Sequence, residues 1–419
     1  MTRLALAARG GPRAAVATLA LVGIVGPVAA CEESVGPPTV VFDTPADASW
    51  TQRTPPPPAP VGALVLVTNN FDDDVSYIDL GLDPPAEIGR VPVGLNPVER
   101  EGPHHLSFSP DGDTVWVGIS NFVPGSGSGP HGAHGAGTAD GYALELRVAD
   151  GVELGSVRVD PNPGDIRVSP DGRWVLLSHF DLLRITSATP TTPPADLYSR
   201  LAIIDRVGVE RAAMVPTCPA AHGIAIAPDS ATAFVACWDD HLAVVDLASS
   251  EHPVDLVTVM PLPGTIANPE CQPYALTQSP SGDTVWVGCY ANGELRAYDV
   301  ASHSMDPARV VDLGGAALFG AYLDADTLVV PSQAPDQLTW LDAATADVEQ
   351  VMPLDPADCF RAHVVTRAPD GKNLLLVCEG DRVGPGTFVI IDAATRTVSH
   401  VIPVGRFPDD IALRPARTP

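Results

Sequence analysis

Two short phrases alternate along this chain, and no other feature narrows its fold as much. One is an extended Val/Ile/Leu-rich phrase closing on aspartate: VSYIDL (Asp79), LELRVADG (Asp150), LAIIDR (Asp205), LAVVDL (Asp246), LRAYDV (Asp299), LTWLDA (Asp342) and FVIIDA (Asp392). The other is a strand, a Pro-Asp-Gly-like turn and a second strand: HHLSFSPDGDTVWVG, GDIRVSPDGRWVLLS, HGIAIAPDSATAFVA, YALTQSPSGDTVWVG, LFGAYLDADTLVVPS and AHVVTRAPDGKNLLLV. Frequent period-two alternation flanked by Gly, Pro, Asp and Asn predicts short antiparallel strands, and helical spacing of apolar residues is absent. Seven copies of the first phrase face six of the second, so one unit is incomplete. Its halves stand at opposite ends: PDDIALRP (Pro408 to Pro415) has the form of a first strand, and GALVLVTNN (Gly62 to Asn70) that of a second. A ring of sheets closed by a strand from each chain end leaves no exposed edge. The expected fold is therefore all-β: a seven-bladed β-propeller over residues 61–419 with split-blade closure, a ring complete in itself and expected as a monomer.

Six of the seven cysteines bracket three of the hairpins. Cys218 and Cys237 lie ten before and nine after Pro228, Cys271 and Cys289 nine on either side of Pro280, and Cys359 and Cys378 ten before and nine after Pro369. Equal distances from the turn set each pair opposite one another on adjacent strands, within disulfide reach. Three disulfides are expected, one in each of three blades. Thiolate metal ligation or a redox dithiol is disfavoured, because no C-x-x-C and no pair closer than 18 residues occurs. Oxidised pairs place the body outside a reducing cytoplasm.

The chain start agrees. Arg3, Arg9 and Arg13 precede the apolar run AAVATLALVGIVGPVAA, the pattern of an export signal over residues 1–30. Val28-Ala29-Ala30-Cys31 resembles a bacterial lipobox, which implies lipidation of Cys31 and a membrane anchor, with Val28 where the motif prefers Leu. Residues 31–60, Pro-rich and without apolar periodicity, read as a disordered tether. With 51 acidic against 24 basic residues the net charge is −27, which repels nucleic-acid backbones and suits a cation, a basic protein or simple solubility.

The phrases VLVTNNFDDDVSYIDL, GRVPVGLNP and SFSPDGDTVWVG follow one another as strand, terminal Asp, VG-x-x-P and SPDG do in the YVTN-type propeller repeat, which the chain resembles over residues 62–415. The resemblance implies a propeller fold and an exported protein, and it leaves function open, since such propellers serve many roles.

Histidine carries the candidate chemistry. His104, His222 and His363 each stand six residues before a turn proline, on first strands expected to line the central channel, with His105 beside His104. Gly164, Tyr274 and Asp409 hold the equivalent positions elsewhere. Imidazoles with a phenol and a carboxylate at one channel mouth form a set able to hold Cu, Zn or Fe. The seven-bladed domain of nitrous oxide reductase, by analogy of fold, has a His-bound copper cluster in this general location. A histidine there also serves simply to cap a strand. A Gly/Ser-rich insertion in the first blade, NFVPGSGSGPHGAHGAGTADG, carries His131 and His134 and is a candidate lid or chelating loop, with His179 expected near the same rim. Asp72, Asp73 and Asp74 form an acidic loop, a solvated turn or a Ca²⁺ site. No G-x-S-x-G, H-E-x-x-H, phosphate-cradling loop or CxxCH occurs.

The reading that follows is a lipid-anchored bacterial envelope propeller acting as a binding or scaffolding module, its ligand or metal at the channel mouth and its partner an envelope protein or small ligand. Two enzyme alternatives come from related propellers: a lactonase-like hydrolase using channel-mouth carboxylates with a divalent metal, and a periplasmic redox accessory.

Overall fold

A computed structural model describes residues 40–41, 55–94, 101–120, 139–189 and 191–415. The export signal, Cys31, most of the tether, His131 and His134 lie outside the described residues. Within the expected tether, Val40–Val41 pairs antiparallel with Ser156 and Val157. No helix among the described residues is long and apolar enough to cross a membrane.

Among the described residues seven antiparallel sheets follow one another, most of them four-stranded and built of successive strands, except where the last sheet takes its strands from both chain ends and the first takes in Val40–Val41. The innermost strands of blades 1 to 4 are Pro103–Phe108, Pro163–Val168, Ala221–Ile226 and Pro273–Gln278. Blade 6 begins with Ala362–Arg367 and blade 7 with Pro408–Leu413. First strands of neighbouring blades touch around much of the ring. Closure is as expected. Pro408–Leu413 pairs antiparallel with Leu64–Asn69, in a register that sets Leu413 against Val65 and Ile411 against Val67. The worn fifth repeat also has a structural counterpart: its first strand is broken into Ala316–Ala317 and Ala321–Tyr322, with Leu318, Phe319 and Gly320 between them.

The repeated aspartates are turn formers. Asp205 Oδ1 accepts from the Val207 amide at 2.9 Å, Asp246 from Ala248 at 2.8 Å, Asp342 from Ala344 at 2.9 Å and Asp392 from Thr395 at 2.7 Å. Each side chain satisfies amides that the third-to-fourth-strand turn leaves without a ladder partner. Apolar side chains then pack as seams between adjacent blades. One seam joins Leu64, Leu66 and Val75 to Leu106, Val115 and Leu144, and another joins Trp286 and Leu295 to Leu328 and Leu341. Stability is distributed around the ring.

All three disulfides form as expected, with Cα separations of 5.6 Å (Cys218–Cys237), 4.6 Å (Cys271–Cys289) and 5.3 Å (Cys359–Cys378). Their placement differs from the hairpin reading. Cys218 lies on the outer strand of blade 2, Glu210–Pro219, and Cys271 and Cys359 lie ahead of the innermost strands. The cross-strand partners of Cys237, Cys289 and Cys378 are Ala221, Pro273 and Ala362. Each bond therefore staples the crossover entering a blade to that blade's second strand. The chain turns sharply before each innermost strand, so the earlier cysteine sits outside the hairpin. Each closes a loop of 18 or 19 residues, which corresponds to about 3 kcal/mol in the chain-entropy account.

Candidate functional site

Six innermost strands begin in the same way. The preceding residue is left-handed: Gly102 (φ 54°), Asn162 (59°), Ala220 (40°), Gln272 (53°), Arg361 (60°) and Phe407 (50°). Five of these carry a Cβ, a conformation costing on the order of 1 kcal/mol each, which the surrounding ring must overcome. Immediately afterwards the pairing slips by one residue, as between Pro103 and Leu106, Ala221 and Ile224, and Ala362 and Val364. Regular strands send consecutive side chains to opposite faces, whereas a bulge re-aims them. Both the second and the third residue of these strands thereby contribute to the axis. The second residues are His104, Gly164, His222, Tyr274, His363 and Asp409, and the third include His105, Asp165 and Asp410. The four histidines and three aspartates are all 0% exposed. At Gly164 an added Cβ would stand 2.9 Å from Ser178 Oγ and 3.3 Å from the His222 ring, so glycine leaves room for that imidazole.

The side chains interlock. Asp409 bridges two imidazoles, with one oxygen against His104 Nδ1 and the other 2.8 Å from His363 Nδ1. His105 Nδ1 lies 2.8 Å from Asp165 Oδ1 and 3.5 Å from Asp410 Oδ2, and its Nε2 has no hydrogen-bond partner. The Nε2 atoms of His104 and His222 are 3.2 Å apart. His222 stacks on Tyr274 at 3.9 Å between ring centroids. Three sets of ligand atoms each fall within 4.8 Å: His104, His105 and His222; His105, His363 and Asp409; and His105, Asp165 and Asp410.

Burial and charge divide these groups. Burial works against an ionised Asp409, but His104 and His363 outweigh it and hold the carboxyl well below its ordinary range. Burial opposes a charged His363 too, yet Asp409 raises that imidazole above its usual value. Burial dominates at His105 and His222, and both are pushed well below the usual imidazole range. Two neutral imidazoles thus stand beside one held ionic pair. Burial also raises Asp165 and pushes the Tyr274 phenol well up.

Aromatic rings enclose the cluster. Phe180 makes edge contact with His222 (5.1 Å) and Trp238 (5.4 Å). Phe319, from the break in blade 5, lies 5.1 Å from His105 and 5.9 Å from His363. Phe319 also lines a cavity of about 470 Å³ running between the innermost strands of several blades. Arg167 stands at the junction, with Nη2 3.1 Å from Asp165 and Nη1 3.1 Å from Asp410.

The expected convergence of His104, His105, His222, His363, Tyr274 and Asp409 is what the fold brings about. His179 does not join it. It is buried, and its Nδ1 meets the Arg200 carbonyl on the next strand of its own blade. The oxygens of the acidic loop are engaged within the fold. Asp72 pairs with Arg406, Asp73 Oδ1 accepts the Gly102 amide at 2.9 Å, and Asp74 accepts from Asn69 at 2.6 Å. Sequence reasoning missed Asp165, Asp410, Arg167 and Phe319. The signal for the first two was an acid directly after the axial position, in PGD and PDD. Period-two alternation hides it, because only the bulge turns that residue inward.

No family profile and no curated protein sequence matches the chain. Solved structures of similar fold include the periplasmic gluconolactonase PpgL of Pseudomonas aeruginosa, at 16% identity and TM-score 0.60, covering 85% of this chain and 99% of that one. Hydrazine synthase of Kuenenia stuttgartiensis matches at 17% identity and TM-score 0.56 over 76% and 97% of the two chains. The dihydro-heme d1 dehydrogenase NirN, in complex with DHE, matches at 16% identity and TM-score 0.55 over 89% and 79%. At such identities the likeness is one of fold: this chain is a seven-bladed β-propeller.

Proposed function

We propose that this protein is an extracytoplasmic, lipid-anchored propeller of YVTN type that binds one transition-metal ion on its axis and works as a binding module of the bacterial envelope. The observation that carries the metal reading is the His104–His222 pair. Two nitrogens bonded at about 2.0–2.1 Å to one tetrahedral centre stand about 3.3 Å apart, close to the 3.2 Å between these Nε2 atoms. The opposite nitrogen of His104 faces Asp409, and that of His105 faces Asp165. Carboxylates behind ligating imidazoles fix tautomer and ring orientation in metal sites. His105 and His222, kept neutral by burial, offer lone pairs at neutral pH. An imidazole-rich set with a carboxylate suits Zn, Cu or Fe over Ca²⁺. The three disulfides and the export and lipobox motifs support the location, and anchoring at Cys31 leaves the ring free to face a soluble ligand or envelope protein.

Elemental analysis of protein purified and offered Zn²⁺, Cu²⁺ and Fe²⁺ tests the reading. About one ion per chain is expected in the wild type and less than about a tenth of that in His104→Ala/His222→Ala. A metal-free wild type overturns it. Sugar-lactone turnover by the loaded protein would instead move the assignment to a hydrolase.

A further inference from the structure

From the cavity beside the axial cluster we infer a second site, for a small oxyanion, held by Arg167 and Arg367 and joined to the imidazole cluster only through the acids that Arg167 pairs with. The inference rests on the cavity of about 470 Å³ lined by Arg167, Gln278, Phe319, Thr366 and Arg367. Its volume fits a compact organic acid or an inorganic oxyanion rather than a macromolecule.

Charge is the first argument. The chain carries 51 acidic against 24 basic residues, yet the charges reaching solvent in this cavity are guanidinium groups. Arg367 is exposed and the Arg167 side chain is 26% exposed, whereas Asp410, the cavity's carboxylate, is only 1% exposed. Asp410 is also spent: it accepts from the Leu106 amide at 3.1 Å and from Arg167 Nη1 at 3.1 Å. A positive concavity in an acidic protein gathers anions from solution.

Unused hydrogen-bonding capacity is the second argument. The hydrogen bonds of Arg167 leave from Nη1, to Asp410, Leu106 O and Ile166 O, and Nη2 pairs with Asp165 at 3.1 Å. Its Nε–H has no acceptor among the described residues and is available to an incoming oxygen. Arg is the side chain whose fork matches planar or tetrahedral oxyanions. Hydrogen phosphate and small carboxylates both carry such anionic oxygens.

Calorimetric titration of the full chain, metal-loaded and chelator-treated, with malate in one arm and inorganic phosphate in the other tests the site. Saturable binding of one equivalent in either arm is expected, and the arm that saturates names the ligand class. Arg367→Gln and Thr366→Tyr, both remote from the imidazoles, should each weaken that binding at least about tenfold while metal content and melting temperature stay at wild-type values. Absence of binding in both arms, or unchanged affinity in both variants, overturns the site. Because metal content is read separately, loss of the axial metal and loss of the anion site are distinguishable results.

Discussion

Two groups of three aspartates lie in this molecule, and they differ in what their oxygens face. Asp72, Asp73 and Asp74 are consecutive, and their oxygens go to Arg406, to backbone amides of residues 101–102 and to Asn69. Asp165, Asp409 and Asp410 are far apart in sequence, and each stands within ion-pair distance of an axial histidine. The first group spends its charge on holding a turn. The second aligns imidazoles where the side chains are fully buried, and there each charge is worth far more. Density of acid in the sequence is therefore a poor guide to a site, and what an acid faces is a good one.

The largest expected difference is in stability. Asp409→Asn removes the carboxylate shared by His104 and His363 at a position 0% exposed, and it should cost the metal-free protein about 3–5 kcal/mol in urea unfolding. A loss below about 1 kcal/mol would make the axial group no different from the surface one.

The pH dependence comes next. Burial holds His105 and His222 below their unfolded values. Below about pH 6.5 the unfolded chain takes up protons that these rings refuse, so stability falls with acid by up to about 1.4 kcal/mol per pH unit for each ring. His363 has the opposite sign: its raised value makes its contribution complete below about pH 6.5 and lost as pH climbs through the folded value. Asp409, held low, contributes above about pH 4 and loses that contribution as pH falls through its folded value. Unfolding midpoints of chelator-treated protein should decline from pH 6.5 to 5, and a flat profile would mean that the two rings are not buried neutral.

The smallest effect belongs to the loop. Burial raises Asp74 to about 7. Its unfolded form ionises first, so stability drains as pH rises from about 4 towards 7. Asp74→Asn should stabilise the protein at pH 8 by about 1 kcal/mol, given its partial exposure, and leave metal content unchanged. Metal loss in that variant would dissolve the contrast between the two groups.

Much of this was legible along the chain. His104, His222 and His363 were found by their fixed offset from a turn proline, because equal offsets in equivalent repeats must meet at the axis. His179 was expected near the rim from its place after a second strand; it does stand opposite Pro163, but its ring turns to the Arg200 carbonyl and not to the axis. The cysteine pairs were right in partner and wrong in strand, since the left-handed residues at 220, 272 and 361 divert the chain before the blade begins.

Strand count, closure between the two chain ends and the identity of the axial positions follow from local patterning, because alternation and turn residues act over a few neighbours. The inward turn of Asp165 and Asp410, the descent of Phe319 to the axis and the pairing of Asp409 with two histidines depend on bulges and a broken strand. Those arise only when seven sheets compete for the space around one axis, so the tertiary structure alone decided them.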